Sequence, residues 1–237
     1  YWRVRSINLC GTGNDSTTFS FTTLTTFETC TAVGTASYQR MYQGWENGAG
    51  AWTSTGTGNS WAQTSVRTHS GTFAWLAGDP AVQSDQQLVS PAVAIPSGQN
   101  PVALVYWNHQ TMESNGPTGC YDAGNLEVST NGGATWTQVT AGLLSDPYDG
   151  LVDAGNNALG GRQGWCGDPA NWTKSVVDLT AYAGQTVNFR FRLGSDTGTS
   201  REGWYLDDIQ VTSCAANLIY QDGFEVGTTA RWSAAVP

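Results

Sequence analysis

Apolar and polar side chains alternate with a period of two along much of this chain, and no credible helix interrupts them. The cleanest case sets Val187, Phe189, Phe191 and Leu193 against Asn188, Arg190 and Arg192, the pattern of a strand buried on one face. Similar runs predict strands at 1–7, 18–23, 71–76, 86–93, 102–110, 125–130, 135–139, 174–178, 185–193 and 204–212. The fold class is therefore all-β and antiparallel. Residues 24–40 are Thr-rich and read as a linker, and the Gly-rich segment 140–171 is too long for an idle loop, so it should form part of a surface.

One predicted strand, Gly203-Trp204-Tyr205-Leu206-Asp207-Asp208-Ile209-Gln210-Val211, carries two adjacent acids. Strict alternation would put Tyr205, Asp207, Ile209 and Val211 on one face. An ionised carboxylate among inward apolar groups is costly unless it is paired, hydrogen-bonded or bound to a metal. A comparable acid sits in Gly44-Trp45-Glu46-Asn47-Gly48. The two segments lie at opposite ends of one unit, residues 41–214. They point to a jelly-roll β-sandwich whose first and last strands hold a Ca2+ ion through Glu46 and Asp207, with Asp208 beside them. Asp85 and Glu113, at the ends of predicted strands, are further candidate ligands.

Composition narrows the class. Charged residues make up 12% of the chain, and there are 11 Trp and 29 Gly. That balance fits an extracellular all-β protein. A net charge of −9 with Lys174 as the sole lysine argues against nucleic acid and anionic lipid as partners. No run approaches the roughly 18 apolar residues of a membrane span. The chain starts at Tyr1 inside a predicted strand, so it reads as a mature fragment of a longer, secreted precursor.

Five cysteines without a Cys-x-x-Cys pair, and two distant histidines, fit an oxidising compartment better than zinc. Cys120 and Cys166 both flank Gly-rich loops and are paired on that ground. Cys30 precedes the first strand of the 41–214 unit and Cys214 follows its last, which favours that pair; Cys10 with Cys30 competes with it.

Both ends of the chain look incomplete. Gly44-Trp45-Glu46-x-Gly48-x-x-x-Trp52 recurs as Gly223-Phe224-Glu225-x-Gly227-x-x-x-x-Trp232, so residues 215–237 resemble an orphan first strand. An unpaired strand can add to the open sheet edge of another molecule. One expectation is thus a fibre subunit that joins copies of itself head to tail through residues 217–237; the competing reading is a mobile tail or sorting signal.

Tyr1-Trp2-Arg3-Val4-Arg5, Asn8-Leu9-Cys10-Gly11 and Phe19-Ser20-Phe21-Thr22-Thr23 resemble the closing strands of a fibronectin type III domain, which would make residues 1–23 a partial domain. The 41–214 unit resembles the MAM-like jelly-roll modules of secreted bacterial peptidases and surface proteins. The matching residues are Gly44–Gly48, Ser90-Pro91-Ala92, Cys120–Gly124, Gly160–Cys166, Val177–Gly184, Phe189-Arg190-Phe191, Ser195-Asp196 and Gly203–Ile209. Its cysteine positions depart from animal MAM domains, so their adhesive role does not transfer. The resemblance implies a concanavalin- or galactose-binding-like sandwich. It also implies a non-catalytic accessory or adhesion module of a larger hydrolase, binding extracellular protein or glycan, with a free lectin as a further alternative.

Two more constellations bear on function. If Cys120 and Cys166 pair, Tyr121, Asp122, Arg162 and Trp165 meet in one concavity that could recognise a sugar or peptide by hydrogen bonds and stacking. Ser129-Thr130-Asn131-Gly132-Gly133-Ala134-Thr135-Trp136 resembles an Asp-box hairpin, a structural turn with Trp136 folded back on it. Catalysis is poorly supplied. Glu113 and Glu127 are a conceivable glycosidase pair, but Glu127 alternates with Leu126 and Val128 and should face solvent. No hydrolase signature occurs.

Overall fold

The Val187–Leu193 alternation lies on strand Thr186–Ser195, central to one of two facing sheets in the structure, a computed structural model that describes residues 5–8, 11–15, 30, 32 and 34–216. The back sheet runs in the order Thr137–Gln138, Ala123–Ser129, Thr186–Ser195, Ser84–Val89, Thr53–Thr57, with Val93–Ala94 also pairing Thr186–Ser195. The front sheet runs Leu143–Ser145, Thr173–Asp178, Val102–Thr111, Arg201–Ala216, Ala74–Asp79, Ala62–Thr64. Strand Thr35–Gln43 pairs with the C-terminal half of Arg201–Ala216, beside Ala74–Asp79. All of these pairings are antiparallel, as expected for a jelly-roll sandwich.

Aromatic side chains fill the space between the sheets. Phe191 meets Tyr106 at 5.0 Å and Trp204 at 5.8 Å, centroid to centroid. At one end Trp45 stacks on Trp75 at 4.7 Å and meets Trp52 edge-on at 5.4 Å. Burying such rings supplies most of the driving force for closing the two sheets.

The alternation of the acidic strand is broken. Asp208 has φ 47°, and the register with Val102–Thr111 shifts between Asp207 and Gln210. This bulge adds one residue, so Trp204, Leu206, Ile209 and Val211 face the core. Tyr205 and Asp207 are buried on the outer face instead, which corrects the expectation that Asp207 shares a side with Ile209 and Val211.

Other boundaries shift for local reasons. Residues 35–40, read as the end of a linker, are strand, because Thr and Ser suit a half-exposed edge paired to a long neighbour. The predicted 86–93 run breaks at Ser90, whose Oγ accepts the Phe189 N–H just before Pro91. Segment 140–171 contributes strands Gly150–Val152 and Gln163–Gly164, which with Gly119–Cys120 form a small third sheet. Near the N-terminus, Arg5–Asn8 pairs with Gly11–Asp15, so residues expected in a turn are themselves strand. The predicted 18–23 strand, the residue Cys10, and the 217–237 segment with its proposed exchange lie outside the described residues. Both favoured disulfides, Cys30–Cys214 and Cys120–Cys166, are formed. No described helix is long and apolar enough to cross a membrane.

Candidate functional site

Glu46, Asp207 and Asp208 converge on one loop, residues 69–73, that lies over the outer face of the front sheet. Asp207 Oδ2 accepts the His69 N–H (2.9 Å) and the Ser70 N–H (3.2 Å), and its Oδ1 accepts the Asp208 N–H (2.8 Å). Glu46 Oε1 accepts the N–H groups of Thr72 and Phe73, both at 2.9 Å. Asp208 accepts the hydroxyls of Tyr42 (2.8 Å) and Ser70 (2.9 Å) and lies 2.7 Å from His69 Nδ1. Burial works to raise the Asp208 carboxyl, but these bonds outweigh it and hold it below the usual range. Burial and then the bond to Asp208 push Tyr42 up to about 12.

These carboxylates fit a Ca2+ ion poorly. Both Asp207 oxygens and Glu46 Oε1 already accept backbone N–H groups, and Asp208 accepts from the Tyr42 and Ser70 hydroxyls, so much of the capacity a cation would need is engaged. The two further candidates lie elsewhere. Asp85 is on the back sheet, forked to Arg192 at 2.6 and 2.9 Å. Glu113 belongs to a separate acidic group.

That group is Asp79, Glu113, Asp122 and Asp196. Ligand oxygens of the last three all lie within 4.8 Å of one another. Asp79 ends strand Ala74–Asp79, Glu113 follows Val102–Thr111, Asp122 precedes Ala123–Ser129 and Asp196 follows Thr186–Ser195. Asp122 Oδ1 accepts the Asp196 N–H at 2.6 Å, and Glu113 accepts from the Thr199 hydroxyl (3.0 Å) and N–H (3.2 Å). Burial, then the charge of Asp122, pushes Asp79 up to about 8. Burial likewise leads in raising Asp122, to about 6.

The expected recognition concavity does not assemble. Asp122 belongs to the acidic group. Trp165 is fully buried, with its Nε1 donating to the Asp146 carbonyl at 3.1 Å. Tyr121 gives its carbonyl to Asn157. Arg162 reaches instead to Glu127 (2.5 Å). Glu127, expected to face solvent, does lie on the outer face of the back sheet but is 0% exposed. Arg190 pairs with it, Arg192 lies 3.6 Å away, and Trp136 stacks over Arg190 at 4.4 Å. The Asp-box-like turn is present, with positive φ at Gly132 and Gly133 and with Asn131 Oδ1 accepting the Thr135 N–H.

An aromatic and polar patch on the outer face of the front sheet was not anticipated. His69 stacks on Trp107 at 3.8 Å, and Trp172 stands edge-on to His69 (5.9 Å), His109 (6.0 Å) and Tyr205 (6.3 Å). Arg67 lies over the Tyr205 ring and pairs with Glu202 at 3.0 Å. Trp107 and Trp172 are half-buried. Period-2 alternation along 102–110 could have placed Trp107 and His109 on one face, but nothing in the sequence brings Trp172 or the 67–69 loop to them.

No family model matches the chain. It is 28% identical over 190 residues to Bacillopeptidase F of Bacillus subtilis (strain 168), covering 77% of this chain and 11% of that protein. It is 30% identical over 174 residues to Hemagglutinin A of Porphyromonas gingivalis, covering 66% of this chain and 6% of that protein. The chain thus spans a small part of either relative. Among solved structures, the K3 cleaved adhesin domain of Lys-gingipain from Porphyromonas gingivalis is similar with TM-score 0.42 and 20% identity, over 75% of this chain and 99% of that one. A carbohydrate-binding module in complex with β-1,4-galactotriose has TM-score 0.46 and 13% identity, over 73% and 94%.

Proposed function

We propose that the sandwich is a non-catalytic recognition module of a larger extracellular bacterial protein, and that it binds glycan, or protein bearing glycan, across the outer face of the front sheet. The observation that carries this reading is the patch around Trp107 and Trp172. Trp172 and the uncovered edge of Trp107, on which His69 stacks, offer apolar surface to sugar C–H groups, while Arg67 and Glu202 supply hydrogen bonds at the rim. Its sequence relatives support the modular reading, since the matching region is a small part of a peptidase and of a haemagglutinin. Two disulfides support an oxidising, extracellular setting.

The test is a glycan array followed by titration calorimetry on the best hit, with Trp172→Ala, Trp107→Ala and the back-sheet control Trp136→Ala. Binding should fall at least about tenfold in the first two, the loss expected of a stacked ring worth more than about 1.4 kcal/mol, and persist in the third. Binding unchanged by both front-sheet substitutions, or no glycan bound at all, overturns the proposal.

A further inference from the structure

Four carboxylates from four chain segments meet at one end of the sandwich, where strands of both sheets finish. Two of them are deeply buried: Asp79 is 2% exposed and Asp122 1%. Neither Asp79 Oδ1, Asp79 Oδ2 nor Asp122 Oδ2 has a hydrogen-bond partner. This contrasts with the Glu46–Asp207–Asp208 group, whose acids are met by a ring of donors. Buried acceptors without partners, next to like charge, are among the costliest features a fold can carry.

We propose that Asp79, Glu113, Asp122 and Asp196 bind one divalent cation, Ca2+. The donors are all carboxylate oxygens, the set that hard cations take in preference to softer metals. Two oxygens each about 2.4 Å from a common ion lie no more than about 4.8 Å apart, and Glu113, Asp122 and Asp196 meet that limit. Asp79 adjoins Asp122 closely enough for the two carboxyls to hydrogen-bond if one were protonated. Glu113 and Asp196 are half exposed, which gives the ion a route in and leaves room for water ligands. The site joins the ends of Ala74–Asp79 and Val102–Thr111 in the front sheet to those of Ala123–Ser129 and Thr186–Ser195 in the back sheet. It acts as a clamp between the two layers. It is independent of the glycan reading, which concerns another face.

The rival account is a proton shared by Asp79 and Asp122 with no ion at all. The two separate cleanly in the 237-residue chain stripped of metal with EDTA. Equilibrium dialysis should show saturable Ca2+ binding that both Asp79→Asn and Asp122→Asn abolish. Saturating Ca2+ at about 100 times Kd should raise the melting temperature by roughly 5–10 °C. Glu46→Gln should keep that rise. Asp79→Asn removes one crowded charge, so its metal-free form should melt no lower than the metal-free parent; this keeps the test valid if Asp122→Asn folds poorly. Absence of binding and of any Ca2+-dependent shift in the parent overturns the proposal in favour of the shared proton. A shift that survives in Asp79→Asn and Asp122→Asn but vanishes in Glu46→Gln overturns it in favour of the loop at residues 69–73.

Discussion

Leu206 and Ile209, three positions apart on one strand, point into the same core and are both fully buried. Ordinary pleating would send them to opposite faces. The extra residue is taken up at Asp208, whose φ of 47° is a left-handed conformation that β-branched side chains resist. Asp208→Val should therefore destabilise the fold by about 3 kcal/mol, combining backbone strain with the loss of bonds to Tyr42 and Ser70. Asp208→Asn keeps an acceptor and tolerates the backbone, so it should lose about 1 kcal/mol or less. Urea unfolding with unchanged m-value measures both. Deletion of Asp208 leaves Ile209 two positions after Leu206, so ordinary pleating keeps Leu206, Ile209 and Val211 inward and the shortened strand should still fold, losing the bonds to Tyr42 and Ser70.

Glu127 is an anion enclosed by cations. It sits beneath Arg162, Arg190 and Arg192 on the back sheet and has no exposed surface. Removing it leaves Arg190, itself largely buried, without its main partner. Glu127→Ala should destabilise by about 3–5 kcal/mol, whereas replacing both Glu127 and Arg190 with Met should recover most of that. Arg162→Ala should change stability little, since that side chain is 40% exposed. Chemical denaturation of the parent, Glu127→Met, Arg190→Met and the double variant gives the coupling of the pair directly.

Acid should weaken the same sheet through Asp85. Burial raises its carboxyl, but the forked bond and charge of Arg192 outweigh this and hold it below its ordinary value. A carboxyl depressed in the folded state contributes stability that is present above its unfolded value, about pH 4, and is lost as pH falls through the folded one. Asp85→Asn should thus lower stability at pH 6 and flatten its fall between about pH 4 and pH 2. Parallel melting curves for the parent and Asp85→Asn across that range test the sign.

The sheet architecture was legible because it depends on local alternation. Strands such as Val102–Thr111 and Thr186–Ser195 carry their apolar face in the sequence itself. The bulge at Asp208 was not legible, because one inserted residue inverts every later assignment and leaves no mark in composition. The candidate sites fared differently for a related reason. Glu46, Asp207 and Asp208 do come together, but the 69–73 loop that caps them meets Glu46 and Asp207 through backbone N–H groups, which any sequence possesses. Asp79 lies beyond the predicted 71–76 strand, which in the structure runs on to it, and Asp196 is named only within the matching pair Ser195-Asp196. Their meeting with Glu113 and Asp122 follows from sheet order, a non-local property. Arg162 and Trp165 sit close in sequence beside Cys166, yet one reaches to the outer face and the other lies in the core.

The two disulfides should differ in both worth and accessibility. Cys30–Cys214 spans 184 positions and Cys120–Cys166 spans 46. Loop-closure entropy therefore makes the first worth about 1 kcal/mol more than the second. Access runs the other way through one sulfur: Cys214 and Cys166 are each 5% exposed, but Cys30 is half-buried, whereas Cys120 is 0% exposed within the small third sheet. Mild dithiothreitol under native conditions should open Cys30–Cys214 first. Alkylation and peptide mapping over time should then show Cys30 and Cys214 modified well before Cys120 and Cys166. Reduction of Cys120–Cys166 should follow only with unfolding, because thiolate attack needs an approach to sulfur that the closed sandwich denies. Simultaneous modification of all four would mean that the third sheet opens far more readily than its burial implies.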